Sequence, residues 1–125
     1  MAIQKVLIVD DSAVERFAMG DMLSRMGYTV VEAIDGVDAQ AKVVSHQPDL
    51  ILMDVVMPGS NGFQLTRQMS RDDTMKDIPI VLCTSKDAET DRLWGMRQGA
   101  KAYLVKPLTE RAFIKCVAGL EAGTV

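Results

Sequence analysis

The sequence has few of the residues on which several kinds of site depend. His46 is the only histidine, so a histidine-based metal site or a Ser-His-Asp triad has little support. We predict a solvated or capping histidine at a helix end. The two cysteines, Cys83 and Cys116, have no metal-type partners nearby in the sequence, and we expect both to be small buried hydrophobes.

Other absences concern whole segments. No apolar run approaches the length of a membrane span, and the amino terminus lacks the charged-then-apolar pattern of a signal peptide. The net charge of −3 argues against a nucleic-acid-binding surface, which needs clustered positive charge. No glycine-rich phosphate loop follows the first apolar run, which disfavours a nucleotide or flavin module. We therefore predict a cytoplasmic protein with no membrane insertion and no nucleic-acid partner.

What the sequence does contain is an alternation of short apolar runs and longer amphipathic segments. With 125 residues, 48% of them hydrophobic and 25% charged, it fits one globular domain. Strands are predicted over 5–9, 28–33, 49–53, 79–83 and 102–105. Helices are predicted from Ser12 to Gly27, over 37–46, from Asn61-Gly62 onward, over 89–98 and from Thr109 to Leu120. Five strands alternating with five helices predict an α/β fold, a doubly wound parallel sheet with helices on both faces.

Local signals predict how the first and last helices begin and pack. Ser12 can cap the first helix, and Glu15, three residues later, would complete a capping box. The inward stripe of the first helix is predicted to be Val14, Phe17, Ala18, Met22 and Leu23. The inward face of the last helix is predicted to be Phe113, Ile114 and Val117.

Carboxylates directly follow two of the predicted strands. Asp54 comes after the apolar run 50–53, and Asp10 and Asp11 come after the run 5–9. Because open α/β sheets build their sites at the carboxyl ends of their strands, three carboxylates would converge if these strands are neighbours. Like charges are costly to hold together, so a hard divalent cation is the natural partner for them.

Two more polar residues follow predicted strands, Thr84 after the fourth and Lys106 after the fifth. Each residue alone has an ordinary explanation as a cap or a solvated side chain, but five on one edge make coincidence a poor explanation. Asp10 and Asp11 suit a magnesium ion, and Asp54 can serve as a carboxylate nucleophile that forms an aspartyl-phosphate. Lys106 and Thr84 offer a positive charge and a hydroxyl to the phosphoryl oxygens.

A family resemblance rests on these segments. The chain resembles a response-regulator receiver domain from Lys5 to about Leu120, with all five functional positions in the order of the family. The segments that carry the resemblance are Leu7-Ile8-Val9-Asp10-Asp11-Ser12, Met53-Asp54-Val55-Val56-Met57-Pro58-Gly59, Thr84-Ser85 and Tyr103-Leu104-Val105-Lys106-Pro107. The resemblance implies a flavodoxin-like order of strands in the sheet.

The resemblance also assigns roles. It implies that Asp54 accepts a phosphoryl group from a partner histidine kinase, which makes the protein a switch rather than an enzyme. Asp10 and Asp11 would hold Mg²⁺ together with Asp54 and the backbone carbonyl of Val56. Val56 and Lys86, which flank the site, are expected to tune the access of water.

The switch itself is implied to involve Thr84 and Lys106, which would move toward the phosphoryl group, and Tyr103, whose ring would follow. The surface of the fourth helix, fifth strand and fifth helix would then change and be read by a downstream protein. Candidates for the exposed part of this surface are Ala88, Glu89, Arg92 and Met96. Trp94 is expected to be a partly buried helix residue.

A finer resemblance points to the twitching-motility response regulators of the type IV pilus chemosensory pathway. The segments that carry it are Met57-Pro58-Gly59-Ser60-Asn61-Gly62-Phe63-Gln64, the stretch 84–95 and Arg97-Gln98-Gly99-Ala100. Because the chain ends soon after the last predicted helix, we expect a single stand-alone receiver, residues 1–125, with a core over about 5–120 and no output domain.

Two alternatives stay open at this point. A magnesium-dependent phosphohydrolase could also use an aspartyl-phosphate, but such enzymes usually place a second acid two residues after the nucleophile, where this sequence has Val56. A phosphate-independent docking module is the other alternative, and the complete acidic and lysine set argues against it. An Asp54→Asn variant that kept partner binding and output would favour the docking module.

Overall fold

The apolar runs form a parallel sheet in the computed structural model, which describes residues 2–123. The strands of the chain, in order, are β1 Lys5–Val9, β2 Thr29–Ala33, β3 Leu50–Met53, β4 Val56–Met57, β5 Ser60–Asn61, β6 Ile80–Thr84 and β7 Ala102–Val105. The main sheet has the order β2-β1-β3-β6-β7, and all its pairs are parallel. The predicted flavodoxin-like doubly wound fold is therefore confirmed, and the short antiparallel hairpin β4-β5 is an addition that the sequence did not predict.

Five helices cover the sheet. They are α1 Ala13–Arg25, α2 Gly36–His46, α3 Gly62–Arg71, α4 Glu89–Arg97 and α5 Glu110–Ala122. Successive strand residues point to opposite faces, so Leu7 joins the core under α2 and α3, whereas Ile8 joins the core under α1 and α5. Since both faces are buried, β1, β3 and β6 are apolar along almost their whole length, as parallel sheets require.

Side-chain caps fix where several helices begin. Ser12 accepts the amide of Glu15, Asn61 accepts the amide of Phe63, and Thr109 accepts that of Ala112. The caps predicted at Ser12 and Thr109 are confirmed. The capping box is wrong, because the Ser12 amide donates to Asp10 Oδ1 at 2.9 Å, and the Glu15 side chain is directed elsewhere.

The predicted inward stripe of α1 is mostly wrong. Val14 and Phe17 are 79% and 72% exposed, and the buried residues of α1 are Met19, Gly20 and Leu23. Of the stripe, only Leu23 is fully buried. Apolar residues are spread around α1, so their spacing did not select the face that packs.

The other expectations about single residues have a mixed outcome. On α5, Phe113 and Val117 are buried as predicted, but Ile114 is 55% exposed and its inward assignment is wrong. Cys83 and Cys116 are buried and free, as predicted, and the exposed residue His46 ends α2. Within residues 2–123 there is no helix with the length and apolarity needed to cross a membrane.

Candidate functional site

The two central strands bring two acids together at the carboxyl edge of the sheet. The amide of Asp54 donates to the Val9 carbonyl at 2.9 Å, and the amide of Asp10 donates to the Ala33 carbonyl at 3.1 Å. These bonds continue the strand pairing for one residue beyond β1 and β3, so the backbone fixes both acids side by side. Asp10 is fully buried and Asp54 is 7% exposed.

Lys106, directly after β7, supplies the positive charge between these acids. Its Nζ lies 2.6 Å from Asp10 Oδ2, 3.0 Å from Glu15 Oε2 and 3.5 Å from Asp54 Oδ2. The side chain of Lys106 is only 10% exposed. One ammonium group therefore joins the ends of β1, β3 and β7 with the first turn of α1.

Glu15 is a member of the site that sequence reasoning missed. Its carboxylate oxygen lies within 4.8 Å of those of Asp10 and Asp54, which makes the three acids one cluster. The signal in the sequence was the place of Glu15 in the first turn after the Asp10-Asp11 pair, at the same edge of the sheet. The capping-box pattern assigned that side chain to the backbone instead.

The Asp54 carboxylate has a mixed environment. Oδ1 accepts the Val55 amide at 2.8 Å, and the buried Thr84 hydroxyl also interacts with the carboxylate. Burial raises the pKa of Asp54, Lys106 lowers it and Asp10 raises it, and the net result is a pKa above the usual range. The surroundings of Asp54 therefore disfavour the ionised form of its carboxyl group.

The opposite balance holds for Lys106. Burial lowers the pKa of the Lys106 ammonium, but the hydrogen bonds to Asp10 and Glu15 and the charge of Asp54 raise it more, so the pKa lies above its usual range. Lys106 is thus a permanent cation at neutral pH.

The other residues predicted for the site lie around this cluster. Asp11 is at the same edge but exposed, and it is not one of the three clustered acids. The side chain of Val56 is 58% exposed and projects from the β4-β5 hairpin. Lys86 is exposed, and its amide donates to Thr84 Oγ1 at 3.4 Å.

The donor set fits a hard divalent cation. Mg²⁺ prefers oxygen ligands, and carboxylates are among those that bind it in proteins. The oxygens of Asp10, Glu15 and Asp54 lie within 4.8 Å of one another, so these side chains would contribute to holding one ion. The cluster has the chemistry of a divalent-metal site, since its ligands are carboxylates.

Tyr103 connects the site to the surface. Its hydroxyl donates to the Lys86 carbonyl at 2.7 Å, which ties β7 to the connection between β6 and α4. Burial raises the pKa of Tyr103 to about 12, with smaller contributions from the charges of Asp91, Asp54 and Asp87. The phenol is therefore a neutral donor at neutral pH.

The residues predicted to form the exposed part of the α4 surface are all exposed in the structure. They are Ala88, directly before α4, and Glu89, Arg92 and Met96 of α4.

Gly62, the first residue of α3, packs directly against the backbone of Asp54. A Cβ at this position would lie 2.0 Å from the Asp54 carbonyl oxygen and 2.7 Å from the Val55 Cα. The Gly62 amide donates to the Val55 carbonyl at 2.8 Å. The position needs glycine because another backbone approaches it, and this contact sets the backbone position of Asp54.

Comparisons with known proteins agree with this fold and site. The sequence model of the response regulator receiver domain matches residues 6–118. Protein PilH of Pseudomonas aeruginosa is 45% identical over 119 residues, which cover 95% of this chain and 98% of PilH. Some other curated relatives are longer, and the chain spans 48% of one and 23% of another.

Solved structures of receiver proteins have the same fold. The chemotaxis protein CheY4 of Vibrio cholerae superposes with a TM-score of 0.84 at 33% identity, over 94% of this chain and 98% of CheY4. The BeF3-activated N-terminal receiver domain of Klebsiella pneumoniae RstA has a TM-score of 0.81 at 26% identity, over 95% of this chain and 97% of that domain.

The class of protein follows from these findings together. The chain is a signalling module of two-component systems rather than an enzyme, with a cluster of Asp10, Glu15 and Asp54 at the carboxyl edge of its sheet. It belongs to the response regulator receiver domain family.

Proposed function

We propose that the chain is a phosphorylation-dependent switch in which Asp54 accepts a phosphoryl group from a partner histidine kinase. The observation that carries this proposal is the convergence on Asp54 of Lys106, at 3.5 Å, and of the buried Thr84 hydroxyl. A nucleophilic acid beside a cation and a hydroxyl donor is an arrangement that favours phosphoryl transfer.

In the proposed transfer, a carboxylate oxygen of Asp54 attacks the phosphorus atom and an O–P bond forms. The P–N bond of the phosphohistidine breaks, and its electron pair stays on the imidazole. Lys106 Nζ stabilises charge on one phosphoryl oxygen, and the Thr84 hydroxyl donates to another. The Val55 amide, which donates to Asp54 at 2.8 Å, orients the carboxylate during the attack.

The residues that would hold magnesium are the carboxylates of Asp10, Asp11 and Asp54 with the backbone carbonyl of Val56. Glu15, whose carboxylate clusters with those of Asp10 and Asp54, would be a further acid beside the ion. The bound ion would neutralise negative charge on the phosphoryl group. Asp10 is already held by the Ser12 amide at 2.9 Å and by Lys106, so its carboxylate is oriented toward the site.

The proposed switch passes from Thr84 to Tyr103. Movement of Thr84 toward the phosphoryl group would open space beside the Tyr103 ring, whose hydroxyl is bonded to the Lys86 carbonyl. A change of that bond would alter the surface of α4, β7 and α5, which we propose as the face read by the downstream protein.

A more specific proposal concerns the signalling pathway in which the chain acts. Similarity to PilH, together with the sequence segments described above, supports a role in type IV pilus chemosensory signalling and twitching motility. In this proposal residues 1–125 act as a single receiver domain in the cytoplasm.

The test is intact-mass measurement after incubation with acetyl phosphate and magnesium. We expect one phosphoryl adduct, which disappears in Asp54→Ala and without metal. Asp73→Ala, which removes a 94% exposed acid far from the site in sequence, should keep the adduct. An unmodified wild type would instead favour the phosphate-independent docking module. Many turnovers of a phosphoester per molecule would favour the phosphohydrolase.

A further inference from the structure

Unpaired arginines are concentrated at one place on this acidic protein. The sequence has seven arginines and a net charge of −3. Arg16, Arg25 and Arg92 form ion pairs with nearby acids. Among residues 2–123, the arginines that have no ion pair are Arg67, Arg71, Arg97 and Arg111. The first three of these line a single groove between α3 and α4.

The groove is built by one face of each helix. Residues at positions i, i+3 and i+4 lie on the same side of a helix, and both helices contribute such a triplet. We call this surface the arginine groove, and its residues are Arg67, Ser70 and Arg71 of α3, Trp94 and Arg97 of α4, and Gln98 and Gly99 directly after α4.

The floor of the arginine groove is fixed by a close approach of the two helices. Gly99 follows α4 with a φ of +110°, and a Cβ there would lie 2.5 Å from Ser70 Oγ. The Gln98 side chain donates to the Trp94 carbonyl at 3.2 Å. The backbone below the arginines is therefore well packed, which makes the groove a preformed surface.

The helix ends do not account for all of this charge. Arg71 and Arg97 lie in the last turns of α3 and α4, where a cation interacts favourably with the negative end of the helix dipole. Each helix end carries about half a negative charge, so the two ends offset roughly one of the three arginines. Arg67 lies a full turn earlier, so the surface keeps a positive surplus.

Trp94, the only tryptophan, is 49% exposed in this groove. Tryptophan and arginine are the residues most enriched at the energetic centres of protein–protein interfaces. Guanidinium groups bind carboxylates through two parallel hydrogen bonds, and an indole face offers apolar contact to an adjacent side chain. The groove is open rather than enclosed, which suits a chain segment.

We propose that the arginine groove binds an acidic segment of a partner protein, with its carboxylates on the guanidinium groups and an apolar side chain on Trp94. This site is separate from the cluster around Asp54, and the proposal does not depend on phosphorylation. The protein would then bind one partner through this groove whether or not Asp54 is modified.

The experiment uses Trp94 as a built-in probe, because its fluorescence is the only indole signal of the chain. The full chain is titrated at low ionic strength with the peptide acetyl-Glu-Asp-Leu-Glu-Glu-amide. We expect a saturable change in Trp94 fluorescence that weakens as salt is added. Arg67→Gln and Arg97→Gln should each weaken binding by about tenfold, as expected for the loss of a charge-assisted bond.

The matched control is Arg111→Gln, which removes an exposed arginine of α5 that has no ion pair with any residue of 2–123. It should bind the peptide like the wild type. The proposal is overturned by any of three results: no fluorescence response, an equal response to the peptide with Gln and Asn in place of its acids, or equal weakening by Arg111→Gln. A response to ATP or pyrophosphate without one to the acidic peptide would also overturn it, since the groove would then be a phosphate site.

Discussion

Replacement of Lys106 by methionine tests whether its charge holds the site together. Methionine keeps a long unbranched side chain but removes the ammonium that contacts Asp10 at 2.6 Å, Glu15 at 3.0 Å and Asp54 at 3.5 Å. Asp10 is fully buried and would lose its only ion pair among residues 2–123. Two adjacent buried carboxylates would then face each other without a cation.

The magnitude follows from these distances and from burial. At an effective dielectric constant of about 20, unit charges at the Asp10 and Asp54 distances attract by roughly 6 and 5 kcal/mol. The cost of taking Lys106 out of water offsets most of this, and removal of one partner of a buried pair typically costs about 3–5 kcal/mol. The Glu15 side chain is 45% exposed, so its pair adds less than about 1 kcal/mol. We expect Lys106→Met to lose about 3 kcal/mol of unfolding free energy at neutral pH without metal.

Urea unfolding followed by circular dichroism measures this loss, and Lys115→Met is the control. Lys115 lies exposed on α5 without an ion pair to another described residue, so its replacement should change stability by no more than about 0.5 kcal/mol. Magnesium should stabilise Lys106→Met more than the wild type, because the ion would replace the missing positive charge and stabilises by mass action.

The pH dependence has a definite sign. As the pH falls, the Asp54 carboxylate, whose pKa is raised, takes up a proton, and the difference in unfolding free energy between Lys106→Met and wild type should shrink. For Lys106 itself the pKa is raised, so its stabilisation is complete below the usual value of 10.5 and is lost as the pH rises through the higher folded-state value. Two results would contradict this role of the Lys106 charge. One is a loss of unfolding free energy in Lys106→Met below about 1 kcal/mol, and the other is a loss of the same size at about pH 4 and at neutral pH.

Three further predictions concern other parts of the site. Asp54→Asn should raise the free energy of unfolding by about 1 kcal/mol at neutral pH. Because the pKa of Asp54 is raised, the wild type loses stability as the pH rises above 3.8. The gain should therefore vanish below that pH, which a pH series of urea midpoints would measure. Gly62→Ala should lower the free energy of unfolding by about 1–3 kcal/mol and slow phosphorylation by acetyl phosphate, since its Cβ would lie 2.0 Å from the Asp54 carbonyl oxygen. The control is Gly20→Ala, whose Cβ would have no contact closer than 3.6 Å and which should not destabilise the protein. Tyr103→Phe should cost about 1 kcal/mol and speed amide exchange around Lys86, and unchanged exchange there would contradict the hydrogen bond.

The position of the site could be predicted from the sequence because strand polarity determines it. An apolar run that ends in a polar residue marks the carboxyl end of a buried strand, and parallel strands place all such ends on one edge. Asp10, Asp54, Thr84 and Lys106 meet there for that reason. The order of the strands came only from the family resemblance, since each apolar run could pair with any other.

Features that depend on tertiary packing were not predictable in the same way. Phe17 and Met19 are both apolar residues of α1, and only the docking of the helix on the sheet decides that Met19 is buried while Phe17 is 72% exposed. Glu15 was missed because its role depends on a lysine that follows it by 91 residues. The capping-box pattern considers only neighbouring residues. The predicted bond from the Ser12 amide to the Glu15 side chain does not form, because that amide donates to Asp10 Oδ1 instead.

The charge balance of the site gives a physical reason for coupling metal, phosphoryl group and lysine. With all three acids ionised, Asp10, Glu15 and Asp54 carry three negative charges against one from Lys106, and the surplus of two equals the charge of one divalent ion. Under the proposed function, phosphorylation exchanges the single charge of Asp54 for the roughly −1.5 to −2 of a phosphoryl group. The new excess lies on the phosphoryl oxygens, so Lys106 is drawn toward them. Its half-exposed bond to Glu15 is the one it can release at the lowest cost.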